Sequence, residues 1–205
     1  MRVLVASSNA GKLRDFKAAA AVHGVEIELI PGFRQIPEAV ENGETFEENA
    51  RKKSEHYSKF LPGELIFADD SGLEVDALGG APGVISARYA ATAEESGNSS
   101  DEANNAKLLR ELAAVSDDRR TARFVCVISV AKDGREVAHF RGTAEGIVLR
   151  EVRGTEGFGY DPLFYFPELK KSFGELSGEE KAKVSHRGQA FKMFLGWCDK
   201  RALSS

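Results

Sequence analysis

The sequence predicts an α/β protein built on a mixed sheet, and three features predict it. Residues 2–30 read strand, helix, strand. Thr45 with Glu48, and Ser177 with Glu180, have the spacing of helix-opening capping boxes. Residues 121–131 and 136–140 are β-rich runs on either side of Lys132-Asp133-Gly134-Arg135, which reads as a hairpin turn. No repeat, low-complexity tract or linker divides the 205 residues. The chain is therefore expected to be a single domain, 1–205, with room for two lobes.

Each element has its own warrant. Residues 2–6 are apolar and suit a buried strand. Ser8 or Asn9 then caps a helix, because a short polar side chain accepts from the open backbone N–H groups. Leu13, Phe16, Ala19 and Ala20 recur at helical spacing, and Gly24 closes the element. Residues 25–30 supply the next strand. A helix over 45–60 would bury Phe46, Ala50, Tyr57 and Phe60. Residues 65–68 form a short strand running into Asp69-Asp70-Ser71-Gly72, and 73–78 alternate like a second, half-exposed strand. Gly79-Gly80-Ala81-Pro82-Gly83 must turn. Residues 91–100 are polar and read as a loop, and 101–115 carry Leu108, Leu109 and Leu112 on a third helix. After the hairpin, 147–149 extend the sheet, 154–161 form a glycine-rich loop, and 189–200 make a closing amphipathic helix.

Composition narrows the function. A hydrophobic share of 42% beside a charged share of 29% fits a globular protein and excludes disorder, collagen-like repeats and a coiled coil. The 28 Lys+Arg against 32 Asp+Glu leave a net charge of -4, which argues against a general nucleic-acid binder. A few lysines can still build one locally positive site for a small anion. Cys126 and Cys198 form no CxxC pair and no metal spacing, so they read as small hydrophobes in a reducing compartment. The opening apolar run is too short for a signal peptide, and no later run spans a bilayer. A cytoplasmic protein without a membrane partner is expected.

Five segments carry chemistry. In Ser7-Ser8-Asn9-Ala10-Gly11-Lys12, a strand end feeds a helix N-terminus, where open N–H groups and the helix dipole suit a phosphate. Lys12 in the first turn opposes that dipole, so it is either a phosphate ligand or a solvated lysine beside an ordinary cap. The segment is not a P-loop, since the leading Gly is missing and Leu13 follows the lysine. Adjacent Asp69 and Asp70 repel each other. On a strand they point to opposite faces, one structural and the other open to a metal that also carries phosphates. The other reading is a plain Asp-rich turn. Asn49, Lys53 and His56 share a helix face, which reads as a solvated charged stripe. In Gly154-Thr155-Glu156-Gly157-Phe158-Gly159-Tyr160-Asp161, glycines let backbone approach a flat ligand while a ring stacks and Asp161 accepts from a base edge. A tight turn with a core Phe fits equally well. Lys181 and Ser185-His186-Arg187-Gly188 put cations or donors by a helix start, either for an acceptor-rich partner or as a surface pair beside a cap.

Together these segments, in this order, resemble one family. Ser7 to Lys12, Glu41, Thr45-Phe46-Glu47-Glu48-Asn49-Ala50 with Lys53, and Ala68-Asp69-Asp70-Ser71-Gly72-Leu73 match it. So do Pro82-Gly83-Val84-Ile85-Ser86-Ala87-Arg88-Tyr89, Gly157-Phe158-Gly159-Tyr160-Asp161-Pro162 and Ser185-His186-Arg187-Gly188-Gln189-Ala190. The chain resembles the inosine triphosphate pyrophosphatase family from its first strand to its last helix. The resemblance implies an elongated α/β fold, its mixed central sheet flanked by helices, with two lobes, a cleft between them, and a homodimer. It implies Mg²⁺-dependent hydrolysis of ITP, dITP and XTP to the monophosphate and pyrophosphate. By motif, Ser7, Ser8, Asn9, Ala10, Gly11, Lys12 and Lys53 correspond to triphosphate contacts. Asp70 corresponds to the catalytic base and a metal ligand, Glu41 to a second metal position, and Ser71 to a substrate contact. Phe158, Gly159, Tyr160, Asp161, Lys181, His186 and Arg187 correspond to the nucleotide and base pocket. Ser7 stands where the family usually has Thr, as does Asn42. The alternatives are a pyrophosphatase for other modified or standard nucleotides, and a non-catalytic nucleotide- or RNA-binding module.

Overall fold

Alternation along β1 (Arg2–Val5) organises the first half of the molecule. Val3 and Val5 face one side, Leu4 and Ala6 the other, and all four are buried. A strand buried on both sides needs a helix layer on each. The computed structural model describes residues 2–92 and 97–202, so positions 93–96 of the polar run 91–100 lie outside the described residues.

The helices start where short polar side chains allow it. Asn9 caps α1 (Ala10–Val22), its side chain accepting from the Lys12 N–H at 3.0 Å. β2 (Glu26–Leu29) follows. Thr45 caps α2 (Phe46–Ser58), accepting from the Glu48 N–H. The reciprocal bond is displaced: the Glu48 carboxylate accepts from the Glu44 N–H at 2.8 Å instead of from the cap residue itself. Phe60, expected in the core, is 48% exposed because it lies beyond the helix end.

β3 (Ile66–Val75) corrects a second expectation. The segment Asp69-Asp70-Ser71-Gly72 is neither a turn nor a strand tip but the middle of one unbroken strand. The two carboxylates are matched by cations on either face, so the backbone has no cause to turn. Gly72 leaves room for Ser86, whose Oγ accepts from the Leu73 N–H and donates to the Gly83 carbonyl.

α3 (Asp101–Glu111) stops earlier than its leucines suggested. β4 (Thr121–Lys132) and β5 (Arg135–Val148) are joined at Asp133 and Gly134, both with positive φ, as the hairpin requires. Residues 136–140 and most of 147–149 belong to this one strand. β6 (Phe164–Phe166) and β7 (Lys171–Ser172) were not anticipated, being too short to show a period. Ser177 and Glu180 form the expected reciprocal box at α4 (Gly178–Val184). α5 (His186–Ala202) begins at His186 rather than Gln189, with the Ser185 hydroxyl accepting from the Gly188 N–H.

The strands form one mixed sheet in the order β2-β1-β3-β4-β5-β6-β7. β1 pairs in parallel with β2 and β3, whereas β5, β6 and β7 pair antiparallel. The chain separates into two compact units. One holds residues up to Asp70, Cys126–Thr143 and the chain from Ala182 onward; the other holds Ser71–Val125 and Ala144–Lys181.

In the first unit, Val3, Val5, Phe67, Ile128 and Val130 pack with Phe16 of α1 and Phe191 and Phe194 of α5. Leu4, Ala6, Ile66 and Ala68 pack on the other face with Tyr57 of α2. In the second unit, Phe124, Phe164, Phe166 and Phe173 make an aromatic cluster with ring centroids 4.6–5.8 Å apart. There the buried Arg120 guanidinium donates to the carbonyls of Leu112, Val148 and Leu149.

Candidate active site

The face alternation of β3 determines where its carboxylates go. Phe67 lies in the layer shared with α1 and α5, while Ile66 and Ala68 lie in the layer shared with α2. Two residues on from Phe67, Asp69 keeps the first face; two on from Ala68, Asp70 keeps the second. The contacts follow that rule. Asp69 Oδ2 meets Lys12 Nζ of α1 at 3.0 Å. Asp70 meets α2, with Oδ2 accepting from Asn49 Nδ2 at 3.1 Å and Oδ1 at 3.6 Å from Lys53 Nζ. One strand thus carries the charges of two helix layers.

Their electrostatics diverge. Burial by itself would push the Asp69 carboxyl up, but Lys12, Lys53 and Arg187 together hold it below the usual carboxylate range. Asp70 goes the other way. Burial is again the largest influence, Lys53 and Lys12 pull it down, and the neighbouring Asp69 and Glu41 charges help leave it raised. Lys53 is desolvated too, yet Asp70, Asp69 and Glu41 keep its ammonium above the ordinary lysine value. An ionised Asp69 and an Asp70 whose charge is poorly solvated are thus set apart by their surroundings.

The cations are built in. Lys12 is no solvated lysine, given its short contact to Asp69. Lys53 is buried and also meets Glu41 Oε2 at 2.7 Å, so the helix face of Asn49 and Lys53 is not a solvated stripe. His56 of that face is turned away, its Nε2 at 2.7 Å from the Pro37 carbonyl. Arg187, at the start of α5, bonds Asp15 Oδ2 of α1 at 3.0 Å, and its charge reaches Asp69. His186 beside it is fully buried. Ser7 is buried and its Oγ accepts from the Asn9 N–H, whereas Ser8 and Ala10 are exposed and Gly11 is packed into α1.

Glu41 and Asp70 approach the same ammonium from two elements, so both carboxylates point into one small volume. Among the described residues no group of three or more His, Cys, Asp or Glu is arranged to hold a metal. Two carboxylates are the donor set expected for Mg²⁺ that completes its shell with water and phosphate oxygens rather than in an all-protein cage. The residues present therefore fit such an ion.

The second unit holds the other candidates. Lys181 Nζ pairs with Asp161 Oδ2 at 2.7 Å, both nearly fully buried, and lies 5.1 Å from the centre of the Phe158 ring. Asp161 Oδ2 also accepts from the Phe158 N–H at 2.8 Å, so this carboxylate pins the loop. Gly157, at φ +79°, permits that turn. Tyr160 is buried, its hydroxyl donating to the Ser86 carbonyl, and the Gly159 carbonyl accepts from Asn105. Ser71 is half-buried at the point where the strand passes into this unit. Sequence reasoning left Asn49 as part of a charged stripe, quoted Ser86 within a matching motif without giving it a role, and overlooked Asp15.

Known proteins resemble this chain along nearly its whole length. A dITP/XTP pyrophosphatase of Acidobacterium capsulatum is 52% identical over 198 residues, covering 95% of this chain and 97% of the relative. A protein of the same name from Exiguobacterium sibiricum is 50% identical, covering 94% of each chain. The solved structure of a HAM1 protein from Coxiella burnetii superposes with a TM-score of 0.83 at 38% identity, over 98% of this chain and 99% of that one. Residues 3–197 match the Ham1 family, and with half of the positions shared end to end with such relatives, the chain belongs to that family.

Proposed function

We propose that this chain hydrolyses non-standard purine nucleoside triphosphates, namely ITP, dITP and XTP, to the monophosphate and pyrophosphate, and so clears them from the nucleotide pool. The observation that carries the reading is the Asp69–Asp70 pair on β3, with Lys12 on one face and Lys53 on the other. Relatives about half identical to it bear the corresponding names.

Lys12 and Lys53 bind the polyphosphate with the backbone N–H groups at the start of α1, and Arg187, expected at the base, joins them because its charge reaches Asp69. Asp70 orients a water toward the α-phosphorus and takes up its proton, a role suited to a carboxylate whose charge is poorly solvated. Negative charge passes to the departing pyrophosphate, where the fixed cations lower the barrier. Glu41 and Asp70 are the groups that would hold Mg²⁺, which when bound adds charge neutralisation across the phosphate oxygens. The base is assigned to Phe158, which stacks, and to donors such as Lys181 and the loop N–H groups.

Keto purines present an acceptor at C6, whereas adenine presents a donor. A donor left facing a donor in a dry pocket costs about 1–3 kcal/mol, roughly five- to 150-fold in rate for each group. We also place the protein in the cytoplasm as a homodimer; the two free thiols, one of them buried, accord with a reducing compartment. The test is pyrophosphate release from ITP, XTP, dITP, ATP, GTP and pyrimidine triphosphates, with and without Mg²⁺. Fast metal-dependent turnover of ITP and XTP with slow ATP supports the reading. Equal rates on ATP and ITP would refute the base assignment, and no turnover would leave only a binder.

A further inference from the structure

Asn49 has no part in the scheme above, yet it is only 2% exposed and both ends of its amide are engaged. Its Oδ1 accepts from the Gly43 N–H at 2.7 Å, its Nδ2 reaches the Gly43 carbonyl at 3.5 Å, and the same Nδ2 donates to Asp70 Oδ2 at 3.1 Å. We infer that Asn49 is a positioning residue that registers the Asp70 carboxylate against the loop carrying Glu41. The inference rests on the reading of Asp70 as the catalytic carboxylate.

The orientation of the amide is forced. A primary amide has one accepting and one donating end. Gly43 claims the acceptor with its N–H, so the donor end must face Asp70. The flipped amide would set Oδ1 against a carboxylate oxygen and Nδ2 against an N–H. The fit is close as well: a Cβ at Gly43 would lie 2.8 Å from Asn49 Oδ1 and 2.7 Å from Glu48 Cβ, so glycine is needed where the loop is gripped.

The grip matters because Glu41 sits on irregular chain, held otherwise by side chains alone: Lys53 at Glu41 itself and Lys52 at Asn42. Residues 37–43 lie in no helix or strand, and the Glu41 side chain is 43% exposed. Asp70, by contrast, sits on a central strand. The two converge on Lys53 Nζ, Glu41 at 2.7 Å and Asp70 at 3.6 Å. Asn49 closes this circuit from the opposite side. It ties the loop two residues beyond Glu41 to Asp70 Oδ2, which leaves Oδ1 turned toward Lys53. Neither of the nearest substitutes can do the same. Aspartate keeps the bond from Gly43 but cannot donate to Asp70, and glutamine places its amide one methylene too far out.

The experiment compares Asn49→Leu, Asn49→Asp, Asp70→Asn and the Asn49→Leu/Asp70→Asn double variant. With ITP and Mg²⁺, Asn49→Leu should lower kcat by about 30-fold and move KM by no more than about threefold. Mn²⁺ binding, followed by calorimetry without nucleotide, should weaken by about tenfold in that variant, a change of about 1.4 kcal/mol. In the double variant kcat should equal that of Asp70→Asn, because Asn49 acts through Asp70. Asn49→Asp should stay slow although it still anchors Gly43, and it gives the same answer if Asn49→Leu fails to fold. Wild-type kcat in Asn49→Asp, or fully multiplicative losses in the double variant, would make Asn49 a loop anchor only and overturn the inference. Wild-type turnover in Asp70→Asn would instead sink the reading of Asp70 itself.

Discussion

Replacing Asp69 by Asn removes the charge that Lys12 meets at 3.0 Å and that Lys53 and Arg187 also feel. Asp69 is 2% exposed, so water cannot take over. Removing one partner of a buried pair costs about 3–5 kcal/mol, and the 14% exposure of the Lys12 side chain puts this pair near about 3 kcal/mol. For a chain of this length that is a fall in Tm of about 6–12 °C. Asp70→Asn should cost less. Its folded pKa is raised, so the stability it contributes is present below the unfolded value and lost as pH rises through the folded one. At pH 7 the charged form is a burden, and the amide oxygen of the substituted side chain can still accept from Asn49. Against that gain, Lys53 loses the charge that most sustains its buried ammonium, so Asp70→Asn should melt well above Asp69→Asn while losing turnover. Calorimetric melts at pH 7 with pyrophosphate-release assays on both variants decide it. An Asp69→Asn protein melting within about 2 °C of wild type, or an Asp70→Asn protein melting lower than Asp69→Asn, would refute the division of labour between the two faces of β3.

Other outcomes follow from the same geometry. Gly157→Ala would place a methyl group against the Asp161 carboxylate at φ +79°, so KM for ITP should rise by about tenfold with kcat little changed; an unchanged KM in steady-state assays would detach this loop from the base. Arg120→Met leaves three carbonyls, two of them buried, without their donor and should cost about 3 kcal/mol in urea unfolding, with specific activity of the folded protein retained. Glu180 is held down to about 2, chiefly by the Ser177 N–H and then by Lys171. Its stabilisation is present above the unfolded value of about 4.3 and is lost as pH falls toward the folded one. Glu180→Gln should thus melt below wild type at pH 7, and the gap should close near pH 2. Chelation with EDTA should abolish pyrophosphate release and leave the far-UV circular dichroism unchanged, because the proposal gives the metal two carboxylates and no all-protein cage.

Local rules carried much of this protein. The cap at Asn9, the Ser177–Glu180 box and the Asp133-Gly134 hairpin depend on residues within a few positions of one another, and each formed where its sequence placed it. Ordered motifs along the whole chain likewise pointed to the family. What failed locally failed because the deciding partner was distant. Asp69-Asp70-Ser71-Gly72 looks like a turn until Lys12, Lys53 and Asn49 are brought in from two other elements to meet the carboxylates. Phe60 looks like core until the helix is seen to end before it. The alternation of a strand could say that the two aspartates diverge, but only the packing of α1 and α5 on one face and α2 on the other assigned each its cations. That assignment, through unequal desolvation and charge pairing, moves their pKa values in opposite directions.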